Sequence, residues 1–192
     1  MIIFCRHYMS QANVDNIVQT YTNNSILPIP EQTILDWNEN LPIDFNEDEV
    51  WVSQLKRTKE TAEELTGYFD YVSAFVNEMP LYAVEGKPVI VDGSHFPMDD
   101  SIKDDIFSTQ QNVLSFYESL DKDKDIIVFS HGITMRLLYY GLMKIPLPEH
   151  FPDIFKMNVA PLSMMVFDKS PTNSITCTQI HTTKDPIQYE SK

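Results

Sequence analysis

Apolar and polar positions fall into alternating blocks along this chain. Met1 to Cys5 is a short apolar run rich in β-formers that stops at Arg6-His7, the pattern of a buried strand ending in a polar loop. Ser10 to about Thr20 predicts a helix with Ala12, Val14, Ile17 and Val18 on one side. Residues 21–48 carry Pro28, Pro30 and Pro42 among many Asn and acidic residues and read as an extended surface excursion. Val50 to Ser53 predicts a second strand, and Leu55, Thr58, Ala62 and Leu65 recur at helical spacing over about 55–67. Tyr71 to Val76 predicts a third strand. Residues 77–100, with several Pro and Gly, read as the loop most suited to cover a substrate.

A helix over about 101–120 leads to Ile126 to Phe129, the clearest strand pattern. His131-Gly132 then opens a helix to about Met143, where Met135, Leu138, Tyr139 and Leu142 fit core packing. Leu162 to Phe167 and Ser174 to His181 predict a terminal pair of strands. Strands alternating with helices imply an α/β fold, a mainly parallel sheet with helices on both faces, and ligands bind such sheets beyond the carboxyl ends of the strands. The length of 192 residues suits a single domain over 1–192.

The net charge of −14 disfavours nucleic acid, whose backbone is tracked by clustered Lys and Arg. It also makes each well-placed Arg informative, because an anionic substrate must find its cations concentrated at one place. Cys5 and Cys177 stand in apolar strand patterns, the usage of reduced thiols, and no basic leader with an apolar stretch or long apolar run occurs; a cytoplasmic protein without membrane contact is expected.

Two places share one form: an apolar strand, a His at its end, then a helix. His7 follows Ile2 to Cys5, and His131 follows Ile126 to Ser130. Were these strands parallel neighbours, both imidazoles would project at one sheet edge beside a helix N-terminus, with Arg6 adjacent and Arg57 delivered from the strand that ends at Ser53. Two guanidiniums fit phosphate oxygens bidentately, one imidazole can act as nucleophile, and the other can stabilise developing charge. Protonating the leaving oxygen then requires a carboxylic acid nearby. Arg6 and Arg57 would repel a metal cation, so neither metal nor other cofactor is expected. Arg136, more than a turn into its helix, reads as a structural ion-pairing residue, and His95, His150 and His181 as exposed.

The stretch Arg6-His7-Tyr8-Met9-Ser10-Gln11-Ala12-Asn13 resembles the R-H-G-x-S-x-x-N signature of the histidine phosphatase superfamily, the phosphoglycerate-mutase-like fold. Ser53 to Ala62 is similar to its S-x-L-x-R-x-x-x-T-A motif, and Val128-Phe129-Ser130-His131-Gly132 to its V-x-S-H-G motif. The resemblance implies a three-layer sandwich and hydrolysis of a small phosphorylated metabolite through a phosphohistidine on His7. Arg6, Arg57 and His131 would form the phosphate pocket, with Ser10, Asn13 and Gly132 supporting it. Gly132 stands where the acid-phosphatase branch has Asp, so the proton donor should come from the middle loop, as Glu78 or, second, Glu85. Tyr8 replaces the Gly that follows the nucleophile in the family, and is expected to narrow the pocket mouth or offer its hydroxyl to substrate. The alternatives are a mutase-type phosphotransferase, or a phospho-ligand-binding regulatory protein with reduced turnover. No oligomeric state follows.

Overall fold

The computed structural model describes residues 1–43, 49–82, 85–87, 100–149, 151–169, 175–181 and 184–190. Their framework is a seven-stranded sheet of β1 (Ile2–Arg6), β2 (Glu49–Ser53), β3 (Tyr71–Ser73), β4 (Ile126–Ser130), β5 (Met164–Lys169), β6 (Ile175–His181) and β7 (Lys184–Glu190), in the order β3-β2-β4-β1-β5-β6-β7. The four strands from β3 to β1 run parallel, and β5, β6 and β7 extend the sheet antiparallel. The expected terminal pair of strands is thus a run of three.

Side chains alternate across the central strands, and each face acquires its own helices. Ile2, Phe4, Ile126 and Val128 pack against Val113, Phe116 and Tyr117 of α4 (Asp100–Ser119) and Met135, Leu138 and Leu142 of α5 (Gly132–Leu142). On the other face Ile3, Cys5, Ile127 and Phe129 meet Trp37 of α2 (Glu31–Asn40) and Ala62 and Leu65 of α3 (Lys56–Thr66). Covering on both faces explains why β1 and β4 read as unbroken apolar runs. The result is the expected three-layer α/β sandwich.

Two elements differ from the sequence pattern. The first helix, α1, is only Gln11–Val14; a capping box between Ser10 and Asn13 starts it, and Asn16, in the left-handed region at φ 52°, ends it. Within 21–48, α2 was hidden by its prolines, which turn out to mark its limits: Pro30 is the N-cap and Pro42 follows the C-cap Leu41. Ile34, Trp37 and Leu41 form its apolar stripe, and Trp37 is fully buried. The third strand also stops early, at Ser73, and a 3-10 turn over Ala74–Val76 carries the chain back toward the site.

His95 and His150 lie outside the described residues. His181 is buried rather than exposed, and both cysteines are free and buried, their thiols pushed up to about 12 by burial. Among the described residues no helix is long and apolar enough to cross a membrane.

Candidate active site

Strand register brings the two histidines together. Arg6 is paired in the sheet with Ser130, so His7 and His131 each follow at the next position on neighbouring parallel strands, and their ring centroids lie 5.2 Å apart. Both rings are buried. His7 Nδ1–H donates to the Tyr8 carbonyl at 2.5 Å, which fixes the tautomer and leaves a lone pair on Nε2. Arg57 Nε–H donates to that Nε2 at 3.3 Å. His131 Nε2 is 2.7 Å from the Ser53 hydroxyl at the end of β2, while its Nδ1 is buried with no hydrogen-bond partner. Burial holds both imidazoles well below the usual histidine range, reinforced by the charges of Arg57 and Arg6. Both are therefore neutral rings in the unliganded site at neutral pH.

A cavity of about 110 Å³ opens beside His7, with Arg6, Asn13, Glu78, Gly132 and Arg136 in its wall. Arg6 Nη1 donates to the Val159 carbonyl at 2.5 Å, and its Nε is buried without a partner. Arg57 stands behind His7, outside the cavity lining; its other two nitrogens donate to the carbonyls of Thr22 at 2.9 Å and Thr20 at 3.1 Å. Burial pulls its pKa down to about 10, so it remains charged near neutrality. Arg136 was expected in a structural ion pair. No ion pair among the described residues involves it; it lines the cavity, with only Nε bonded, to the Met157 carbonyl at 2.9 Å. The carbonyls that hold Arg6 and Arg136, from residues 157 and 159, belong to a connection no sequence motif marks.

Glu78 follows the 3-10 turn and reaches the N-terminus of α5. Its carboxylate accepts from the backbone N–H of Ile133 at 3.4 Å and Thr134 at 3.2 Å, and from the Thr134 hydroxyl at 3.2 Å. Glu85 is turned elsewhere: it accepts from the backbone and hydroxyl of both Thr20 and Thr22 and does not line the cavity. Burial alone would raise its pKa, but these four hydrogen bonds outweigh it and hold the carboxyl below the usual range.

Ser10 lies one layer back, with its hydroxyl and the Asn13 amide both receiving Gln19 Nε2. Tyr8 is not at the cavity mouth: its ring packs against the core on the α2–α3 face, and its N–H donates to Thr61 Oγ1 at 3.0 Å. Its φ is not positive, so the position imposes no strain on a residue with a side chain. Gly132 has a different reason to lack one. A Cβ there would sit 3.0 Å from Arg136 Nη1 and 3.4 Å from Arg6 Nε, so its absence lets both guanidiniums close over the start of α5.

The site therefore combines an oriented imidazole whose Nε2 lone pair accepts from Arg57, a second buried imidazole, three guanidiniums and one carboxylate at the C-terminal ends of parallel strands. This arrangement is equipped to hold an anion and transfer a group from it to His7.

The architecture is that of the phosphoglycerate-mutase-like α/β fold. No protein-family model matches the chain, and no curated protein matches it in sequence. Among solved structures, it is similar to an open reading frame product of Mycobacterium tuberculosis at 15% identity and TM-score 0.70, covering 94% of this chain and 95% of that one. It is also similar to the phosphoserine phosphatase of Entamoeba histolytica, solved with 3-phosphoglyceric acid, at 19% identity and TM-score 0.65, covering 100% and 96%. A third is a putative alpha-ribazole-5'-P phosphatase of Escherichia coli, at 17% identity and TM-score 0.65, covering 88% and 91%.

Proposed function

We propose that the protein is a phosphatase that hydrolyses a small phosphomonoester through a phosphohistidine on His7. The observation that carries this reading is the fixed tautomer of His7, whose Nε2 lone pair sits beside a cationic cavity that also contains Glu78. In the first step His7 Nε2 forms a bond to phosphorus while the ester P–O bond breaks, and Glu78, in its acid form, gives its proton to the leaving alkoxide. Arg6 and His131 stabilise charge on the transferred phosphoryl group. Arg57 orients His7 and must yield the lone pair as the P–N bond forms. In the second step water attacks phosphorus, Glu78 takes up its proton, and the P–N bond breaks to release inorganic phosphate.

The neutral state of His7 supports the nucleophilic role, since a protonated ring has no lone pair to offer. The two structurally similar proteins named as phosphatases support the substrate class. The test is hydrolysis of para-nitrophenyl phosphate over pH 5 to 8, together with acid quenching during turnover to trap a phosphohistidine. The expected result is an acid-labile phosphoenzyme in the wild type, absent from His7→Ala along with turnover. Equal rates for the two proteins would sink the reading.

A further inference from the structure

Glu78 borders two cavities. One is the cavity beside His7; the other, of about 230 Å³, adjoins it, and among the described residues only Glu78 and Thr20 line both. The wall of the second carries three exposed aromatic rings: Tyr21 at 48%, Phe75 at 52% and Tyr82 at 69%. A single exposed apolar side chain is ordinary on a protein surface, but three aromatic rings around one concavity have the composition of a ligand site. The Tyr21 and Tyr82 rings are in contact, with centroids 5.1 Å apart and planes tilted by 37°.

The backbone that presents these rings is firmly held. Tyr21 lies between Thr20 and Thr22, whose N–H and hydroxyl groups all donate to Glu85. Phe75 sits in the 3-10 turn capped by Ser73, and Asn77, which ends that turn, is bonded twice to Gln54 and once to Thr134. A surface fixed before the ligand arrives loses less freedom on binding.

In-line displacement puts the leaving oxygen opposite His7 Nε2, within reach of its proton donor Glu78. The alcohol on that oxygen then extends past Glu78, toward the cavity that Glu78 shares. The cavity beside His7, at about 110 Å³, is well below the several hundred Å³ of ordinary small-molecule sites and suits the phosphoryl group with little of the alcohol. The two cavities also differ in charge. Arg6 and Arg136 line the first, whereas no Lys or Arg among the described residues lines the second. Glu85, held ionised behind Thr20 and Thr22, adds negative charge nearby. An anionic alcohol portion would be repelled there, while a flat uncharged ring would stack on the aromatic wall.

We infer that Tyr21, Phe75 and Tyr82 form the subsite for the alcohol portion of the substrate, and that this portion carries an uncharged aromatic ring. The inference rests on the phosphatase reading for the placement of the alcohol beyond Glu78.

The experiment uses three esters of equal charge whose alcohols have similar acidity: benzyl, cyclohexylmethyl and ethyl phosphate. Binding to His7→Ala is measured by calorimetry, so that turnover does not interfere. Benzyl phosphate should bind at least about tenfold tighter than ethyl phosphate, from the apolar area it buries. It should also bind about threefold tighter than cyclohexylmethyl phosphate, because ring pairs add to area burial. Adding Tyr21→Ser and Tyr82→Ser together should reduce the benzyl-to-ethyl ratio to under about threefold. Tyr82→Ser alone, at a side chain 69% exposed and so of little consequence for folding, should lower the ratio in the same direction. Equal affinities for benzyl and ethyl phosphate would overturn the subsite, as would failure of all three esters to bind. So would an unchanged ratio in Tyr82→Ser, or a loss shared equally by both esters. Cyclohexylmethyl phosphate binding as tightly as benzyl phosphate would overturn the aromatic assignment. Wild-type turnover separates the two readings: hydrolysis of benzyl and ethyl phosphate with equal kcat/KM upholds the phosphatase and overturns the subsite, whereas tighter binding of benzyl phosphate with hydrolysis of neither upholds the subsite and overturns the phosphatase.

Discussion

Glu78 and Glu85 lie close in sequence, yet their surroundings assign them different work. Glu85 is saturated by Thr20 and Thr22, whose carbonyls also hold Arg57, so it braces the wall behind His7. Glu78 borders the cavity. Glu78→Gln should therefore slow release of an alkyl alcohol by about 10²- to 10⁴-fold, the range for a lost general acid. It should slow para-nitrophenol release far less, since that leaving group departs without a proton. Measuring kcat on both esters checks this, and an equal loss on the two would remove Glu78 from the acid role. Tyr8 gives a second residue-level expectation. Because its ring packs in the core, Tyr8→Gly should destabilise the protein by about 1–3 kcal/mol, read by urea unfolding, with little change in the relative rates across a panel of phosphate esters.

At the scale of elements, α2 matters most for what a sequence pattern can and cannot disclose. The strands that carry His7 and His131 are legible because burial on both faces writes them as continuous apolar runs, and each His stands where the run ends. The helix α2 is amphipathic, flanked by prolines and rich in Asn and acidic residues on its solvent side, so composition points to a loop while the Ile34-Trp37-Leu41 spacing points to a helix. Trp37 anchors it by stacking on Phe129 of β4, with centroids 6.1 Å apart. Trp37→Ala should cost about 3–5 kcal/mol by denaturant unfolding, and an effect below about 1 kcal/mol would show that α2 adds little to the core. Arg136 was obscured for another reason. Distance along a helix suggested it could not reach the site, but a side chain on α5 points back toward the helix N-terminus, and Gly132 leaves the room it needs. Side-chain direction and the carbonyls of residues 157 and 159 are properties of the folded chain that spacing alone does not encode.

At the scale of the whole molecule, a strongly acidic protein places all three of its arginines at one site, Arg6 and Arg136 in the cavity wall and Arg57 behind His7. The two histidines there remain neutral in the unliganded native state, whereas in the unfolded chain they take up protons near pH 6.5. The unfolded state thus binds more protons below that pH, and stability present above about pH 6.5 is lost as pH falls. The loss should approach about 1.4 kcal/mol per pH unit for each ring. Urea titrations at pH 7.0 and 5.5 test it, in a window above the range where the carboxyls titrate. A saturating phosphate-type anion should weaken this dependence by easing protonation of the rings, and a flat profile without ligand would contradict the buried neutral pair.

The seam between β1 and β4 joins the beginning of the chain to its later half, with Ile2 opposite Ile126. Every functional group described for His7 and His131 depends on that one pairing, and it cannot form until a large loop of chain has closed. Helices α3, α4 and α5 are local and can gain structure early; the pairing of His7 with His131 is a product of a long-range contact in the sheet. During refolding, catalytic activity should consequently reappear only after most of the helical signal has returned. On the phosphatase reading, a partly folded chain would then be inert toward phosphate esters until β1 and β4 have paired.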